Sequence, residues 1–215
     1  MNLKPLFDKQ RELDEKIVKQ KELKGQELLN KKILALQVEL GELANEWRGF
    51  KFWSDDQEPK KYQKKPAVER KFDGEYITSM ETEYHGKYVY FVNGYRVTKE
   101  TWDSLFDYET KVLEEYVDCL HFILSIGWEI HVGDDPEMDI VELEDCLRGE
   151  RSESTDLILQ FKYIYWLTSK IYSGYKQLFF AFVELGELLG FTWDEIEQAY
   201  MKKNATNHER QANGY

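Results

Sequence analysis

Two pairs of acidic residues stand at helical spacing in this 215-residue chain: Glu39 with Glu42, and Glu115 with Asp118. Side chains at i and i+3 leave a helix on one side, so each pair presents two carboxylates together. Two such helices packed antiparallel would bring four carboxylates to one point. Leu36, Leu40 and Leu43 run beside the first pair, Val117 and Leu120 beside the second. Carboxylates that close to a core face are costly unless they are paired or hold a cation. A ligand set made only of oxygen suits Mg²⁺ or Mn²⁺ rather than zinc. Taken alone, either pair is an ordinary solvated helix face, because Glu is a good helix former. Their weight comes from the company they keep.

The elements that must position these residues are mainly helical. From Leu3 to about Arg48 the apolar residues recur at helical spacing, and Gly25 divides them into two helices. Gly49 breaks the pattern, with Phe50, Phe52 and Trp53 just beyond it. Residues 55–75 are polar and lysine-rich, hold Pro59 and Pro66, and read as loop. Tyr76 to Thr98 is rich in Tyr, Val, Ile and Thr, with Asn93-Gly94 as a turn signal, and predicts a small β-hairpin or an irregular β excursion. A helical pattern returns from Trp102 and ends near Gly127. Residues 137–157 predict a weak helix with loop, and Leu157 to Leu189 one long apolar helix with Gly174 as its point of bending. Thr192 to Glu195 is a capping box that opens the last helix. The fold class is all-α with one partly β insertion: residues 1–54 and 111–215 form the core, and 55–110 are inserted. The hexapeptide Val38 to Leu43 recurs as Val183 to Leu188, either an old duplication or a repeated packing solution.

The formal charge of −12 is unevenly placed. Residues 1–32 carry +3 and residues 201–215 carry +2, which leaves −17 on residues 33–200. Such a body argues against broad nucleic-acid binding, which needs a basic footprint. It admits an anionic substrate if a cation is bound first. No run approaches the ~20 apolar residues of a membrane helix, and Met1 to Lys32 is charged throughout, so neither a membrane span nor a signal peptide is expected and the location is expected to be cytoplasmic. Cys119 and Cys146 form no CxxC pattern, so neither a disulfide framework nor a zinc site is indicated.

Four motifs together carry a family resemblance. Glu39-Leu40-Gly41-Glu42 followed by Glu115-Tyr116-Val117-Asp118 resembles the metal signature of the all-α nucleoside triphosphate pyrophosphohydrolases, the superfamily of MazG and the dimeric dUTPases. The run from Tyr200 to Tyr215 resembles the YxxKNxxNxxRQxxGY ending of the dimeric dUTPases. Phe7 to Asp14 is similar to that family's N-terminal LxxxQxxLN, and Asp118 to Phe122 to its DxLHF. The motifs cover residues 3–54 and 111–215.

The resemblance implies a bundle of antiparallel helices, a homodimer, and hydrolysis of dUTP to dUMP and pyrophosphate, which limits uracil incorporation into DNA. It implies two or three Mg²⁺ ions, with Mn²⁺ as the alternative, on Glu39, Glu42, Glu115 and Asp118, Glu39 also taking the proton from the attacking water. By the same carry-over Lys203, Asn204, Asn207, Arg210 and Tyr215 contact phosphates and sugar. Gln10, Asp14, His121 and Phe122 are candidates for reading uracil, and Lys51 and Trp53 match a Trp/Lys cluster near the site. Two departures stand out: Asp14 where the family often has Asn, and 72 residues between Glu42 and Glu115 in place of a short connection. Loop insertions cost little closure entropy, so the core survives one. Two other readings stay open. One is a related hydrolase acting on dCTP or on several nucleotides. The other is a helical interaction protein whose partner docks on segment 55–110, where Tyr76, Tyr84, Tyr88, Tyr90, Phe91 and Tyr95 stand near Lys60-Lys61 and Lys64-Lys65.

Overall fold

A computed structural model of the chain describes residues 2–63, 71–72, 75–76, 79–84, 87–92, 94–98, 108–130, 136–147 and 155–214. Pro5 lies in the first turn of α1 (Lys4–Gln20), where its missing N–H has no helical partner to lose. Leu6, Phe7, Gln10 and Leu13 form the buried face of that helix. Gly25, at φ +81°, lies in the turn to α2 (Leu29–Trp47), which buries Leu29, Leu36, Leu40 and Leu43. Arg48 ends α2 in the left-handed region at φ 68° and donates to the Asp56 carbonyl at 2.7 Å.

Helix α3 (Val112–Ile130) buries eleven of its 19 residues. A helix with so much of its surface covered belongs at the centre of a bundle. It packs against α1 and α2 and against two later helices, α6 (Ile171–Leu188) and α7 (Trp193–Ala212). Lys32 pairs with Glu129 at 2.7 Å, while Glu42 and Glu115 meet further along, so numbering rises on α2 as it falls on α3. The two acid-bearing helices are therefore antiparallel. Helices α4 (Pro136–Leu147) and α5 (Leu157–Thr168) complete seven helices among the described residues; α4 lies against α6, and α5 against α2 and α6. Asp156 caps α5, and the Thr192–Glu195 box caps α7 with both reciprocal bonds present.

Three expectations need correction. The stretch 55–75, read as loop, holds the short strands Lys61–Gln63 and Lys71–Phe72 and the start of Glu75–Tyr76. The stretch 157–189 is two helices, and the break falls at Ser169–Lys170 instead of Gly174, which lies in the first turn of α6. The Thr168 and Ser169 hydroxyls donate to the carbonyls of Tyr165 and Trp166, both at 2.7 Å, and the amides of Ser169 and Lys170 bond three residues back. Local hydroxyl bonding of this kind competes with helical continuation. The helix expected from Trp102 begins at Val112; Tyr108–Thr110 is a strand, and residues 102–107 lie outside the described residues.

Residues 59–111 form a unit separate from the helical one made by 1–58 and 112–215. In it β1 (Lys61–Gln63) pairs antiparallel with β7 (Tyr108–Thr110), and β2 (Lys71–Phe72) with β3 (Glu75–Tyr76). Strands β4 (Ser79–Tyr84), β5 (Lys87–Val92) and β6 (Tyr95–Val97) make an antiparallel meander, one strand more than a hairpin. Gly94, at φ +80°, supplies the left-handed residue between β5 and β6.

Both copies of the repeated hexapeptide receive a tyrosine from another helix. Tyr165 Oη donates to the Gln37 carbonyl at 3.2 Å, four residues before Gly41, and Tyr116 Oη to the Phe182 carbonyl at 3.0 Å, four before Gly186. A Cβ at Gly41 would stand 3.4 Å from the first hydroxyl, and one at Gly186 2.7 Å from the second. The approach of Tyr116 requires the glycine at 186, whereas a Cβ at position 41 would make an ordinary contact with Tyr165.

Candidate active site

Helix α2 carries Glu39 and Glu42 and helix α3 carries Glu115; each offers one carboxylate oxygen, and the three atoms lie within 4.8 Å of one another. Burial first, and then the charges of Asp118, Glu42, Glu114 and Glu39, push the Glu115 carboxyl up to about 7. Burial, Asp118 and Glu42 likewise raise Glu39 above the ordinary carboxylate range, against the opposing charge of Lys203. Repulsion among close carboxylates becomes attraction once a divalent cation stands among them, and an all-oxygen donor set fits a hard cation.

Asp118 is placed differently from the other three. Lys203 of α7 donates to Asp118 Oδ2 at 2.6 Å and to Glu114 Oε1 at 3.0 Å. Burial works against the charge on Lys203, yet the bonds to these two carboxylates outweigh it and leave the amine above its usual pKa. Burial raises Asp118 in spite of Lys203.

Beside the cluster is a cavity of about 360 Å³, within the range of small-ligand sites. Nine of the residues proposed from sequence line it: Gln10 and Asp14 from α1, Glu39 from α2, Asp118, His121 and Phe122 from α3, and Lys203, Asn207 and Arg210 from α7. Among the described residues, Glu39 alone belongs both to the carboxylate cluster and to the cavity wall. Leu13, Ile17, Ser125 and Gln211 also line it. Their signal was helical spacing: Leu13 and Ile17 follow Gln10 on one stripe, and Ser125 stands one turn after His121.

A hydrogen-bonded network runs behind this wall. His121 Nδ1 lies 2.7 Å from Gln10 Oε1, and Gln10 Nε2 donates to Asp14 Oδ1 at 2.8 Å. Asp14 Oδ2 accepts from the Ser125 hydroxyl and faces Lys32, which also pairs with Glu129. The His121 ring stacks on Tyr200 with centroids 4.3 Å apart.

Three further substrate residues proposed from sequence are not on the cavity wall. Asn204 is buried and donates to the Lys9 carbonyl at 3.3 Å, which ties α7 to α1. Lys51 donates to Asn45 Oδ1 at 2.6 Å, and Trp53, 66% exposed, meets Phe50 and Phe52 edge-on past the end of α2. Tyr215 lies outside the described residues.

A family model described as dUTPase matches residues 2–87 and 91–215. The chain belongs to the dUTPase family. It is an all-α dUTP diphosphatase, a hydrolase of nucleotide metabolism that cleaves dUTP to dUMP and pyrophosphate. Dimeric dUTPases of this kind use a divalent metal, and the Glu39–Glu42–Glu115 group is a set able to hold one. The match also runs through most of segment 55–110. Neither the curated proteins nor the solved structures compared with the chain gave a match. No helix among the described residues is long and apolar enough to cross a membrane.

Proposed function

We propose that this dUTPase works with Mg²⁺ held by Glu39, Glu42 and Glu115 and joined by Asp118, and that dUTP lies in the adjoining cavity. The position of Glu39 in both features carries the reading, because a carboxylate there touches metal and substrate alike. Bound Mg²⁺ supplies positive charge against the triphosphate and lowers the pKa of a coordinated water. Glu39, which borders both the carboxylate group and the cavity, takes the proton from the attacking water. Lys203 and Arg210 meet phosphate oxygens, Lys203 as a point charge and Arg210 as a fork, and Asn207 holds a hydroxyl. Gln10, His121 and Phe122 enclose the base. The acidic body thus binds the cation, and the basic C-terminal part of the last helix meets the anion.

Pyrophosphate release from dUTP, dCTP, dTTP and UTP, with Mg²⁺, Mn²⁺ or chelator, tests the reading. The expected result is preference for dUTP, loss of turnover in chelator and recovery on adding Mg²⁺. Turnover that persists in chelator, or faster hydrolysis of dCTP, overturns it.

The second copy expected of a dimeric family has a place to dock. Ile158, Leu159, Tyr163 and Trp166 are exposed on α5, Leu34 and Val38 on α2, and Tyr172 on α6. Exposed apolar residues in that number mark an interface between proteins. Sedimentation at micromolar concentration is expected to give twice the chain mass of 25.7 kDa, and a monomer there contradicts the assignment.

A further inference from the structure

One carboxylate beside the site belongs neither to the metal group nor to the cavity wall. Glu114 stands four residues before Asp118 on α3, so the two share a face of that helix. Its neighbour Glu115 leaves the helix about 100° away and meets Glu39 and Glu42 of α2 instead. The side chain of Glu114 is 54% exposed. What joins it to the site is Lys203 of α7.

The Lys203 amine donates to Asp118 Oδ2 at 2.6 Å and to Glu114 Oε1 at 3.0 Å, and its side chain is only 15% exposed. An ammonium has three donors, which leaves one for a phosphate oxygen in the cavity that Lys203 lines. The two anchors are not equally durable. A divalent cation held by Glu39, Glu42 and Glu115 attracts Asp118 and repels the ammonium, so two cations compete for one carboxylate. Glu114 lies outside that group and keeps its charge for the lysine. Lysine has a long, flexible stem, and an amine without a fixed anchor loses more freedom when it meets the triphosphate.

We propose that Glu114 is a positioning residue for dUTP hydrolysis: it holds the Lys203 amine between cluster and cavity once a cation claims Asp118. In the metal-free chain the two carboxylates share the amine; with metal bound, Glu114 keeps it. The proposal rests on the metal occupying the carboxylate group. Ion pairs between two water-facing side chains contribute little to stability. Here the amine is largely covered, and what the pair fixes is the place of a charge.

Glu114→Gln keeps the shape and removes the charge, at a position exposed enough to leave the fold intact. The kcat/KM for dUTP is expected to fall about tenfold, through KM with kcat little changed. In a Lys203→Met background the same substitution is expected to change nothing further, because the group it acts through is gone. Nitrogen NMR of the Mg²⁺-loaded, nucleotide-free protein should find the Lys203 amine ordered in the unaltered chain and averaged by motion in Glu114→Gln. An unchanged KM overturns the proposal, and so does a lower one, which would show Glu114 withholding the lysine from substrate. An equal loss in both backgrounds overturns it as well, since Glu114 then acts by its own charge, as does an amine that stays ordered in the variant. If Mg²⁺ leaves the carboxyl carbon shifts of Glu39, Glu42 and Glu115 unmoved, the metal assignment fails and the proposal with it. Where those shifts move, a failure falls on Glu114 alone.

Discussion

Glu115→Gln lowers kcat/KM for dUTP by about 10²-fold or more, and the same change makes the metal-free protein more stable above pH 7. The two effects have one cause. In the folded chain burial and the neighbouring carboxylates raise this carboxyl from 4.5 to about 7, so the folded state holds the proton more tightly than the unfolded one. The group's contribution to stability is complete below about pH 4.5 and is lost as pH rises through about 7. Above that, an ionised Glu115 costs the fold on the order of 1–2 kcal/mol, after allowance for its partial exposure. Gln carries no charge and avoids the cost, but it is a poor ligand for a hard cation. Mg²⁺ offsets the same repulsion, so it should raise the Tm of the unaltered protein at pH 8 and much less at pH 5, where protons compete for the ligands. Turnover, and Tm with and without Mg²⁺ at both pH values, check this. A variant that is inactive and also less stable at pH 8 would show Glu115 to be a structural residue instead.

Lys203→Met is expected to lower kcat/KM for dUTP by about 10²-fold, for reasons that only the fold reveals. The amine holds Asp118 and Glu114 and also lines the cavity, so one charge serves both the acidic cluster and the substrate. Removing it takes a cation from the triphosphate and leaves a partly buried Asp118 without its counter-ion, which raises that carboxyl further. Mg²⁺ should then bind Asp118 unopposed. The variant is therefore expected to keep or gain affinity for Mg²⁺ in calorimetry while losing affinity for dUTP. Weakened Mg²⁺ binding together with unchanged KM would remove Lys203 from the substrate side of the site.

Much of the site was legible because its signals are local. Glu39 and Glu42, like Glu115 and Asp118, share a helix face through spacing alone, and the run from Lys203 to Arg210 lies along one turn after another of α7. The capping box at Thr192 was legible for the same reason: donor and acceptor are three residues apart. The break at Ser169 was harder, since hydroxyls that bond back to a carbonyl look no different in sequence from hydroxyls facing water. Asn204 shows the limit of a motif: its neighbours Lys203 and Asn207 face the cavity, whereas its own position on the helix turns it to the Lys9 carbonyl.

Sequence by itself determined which helices bear carboxylates, which helix bears the cations, and the family that the combination belongs to. Tertiary structure decided how those charges are shared. Glu39 became the residue between cluster and cavity, Asp118 was drawn to Lys203, and Gln10 was set between His121 and Asp14. These outcomes depend on contacts between residues up to 111 positions apart, and they turn on burial and on competition for single protons. Helical periodicity records which side a residue faces, but not what it meets there.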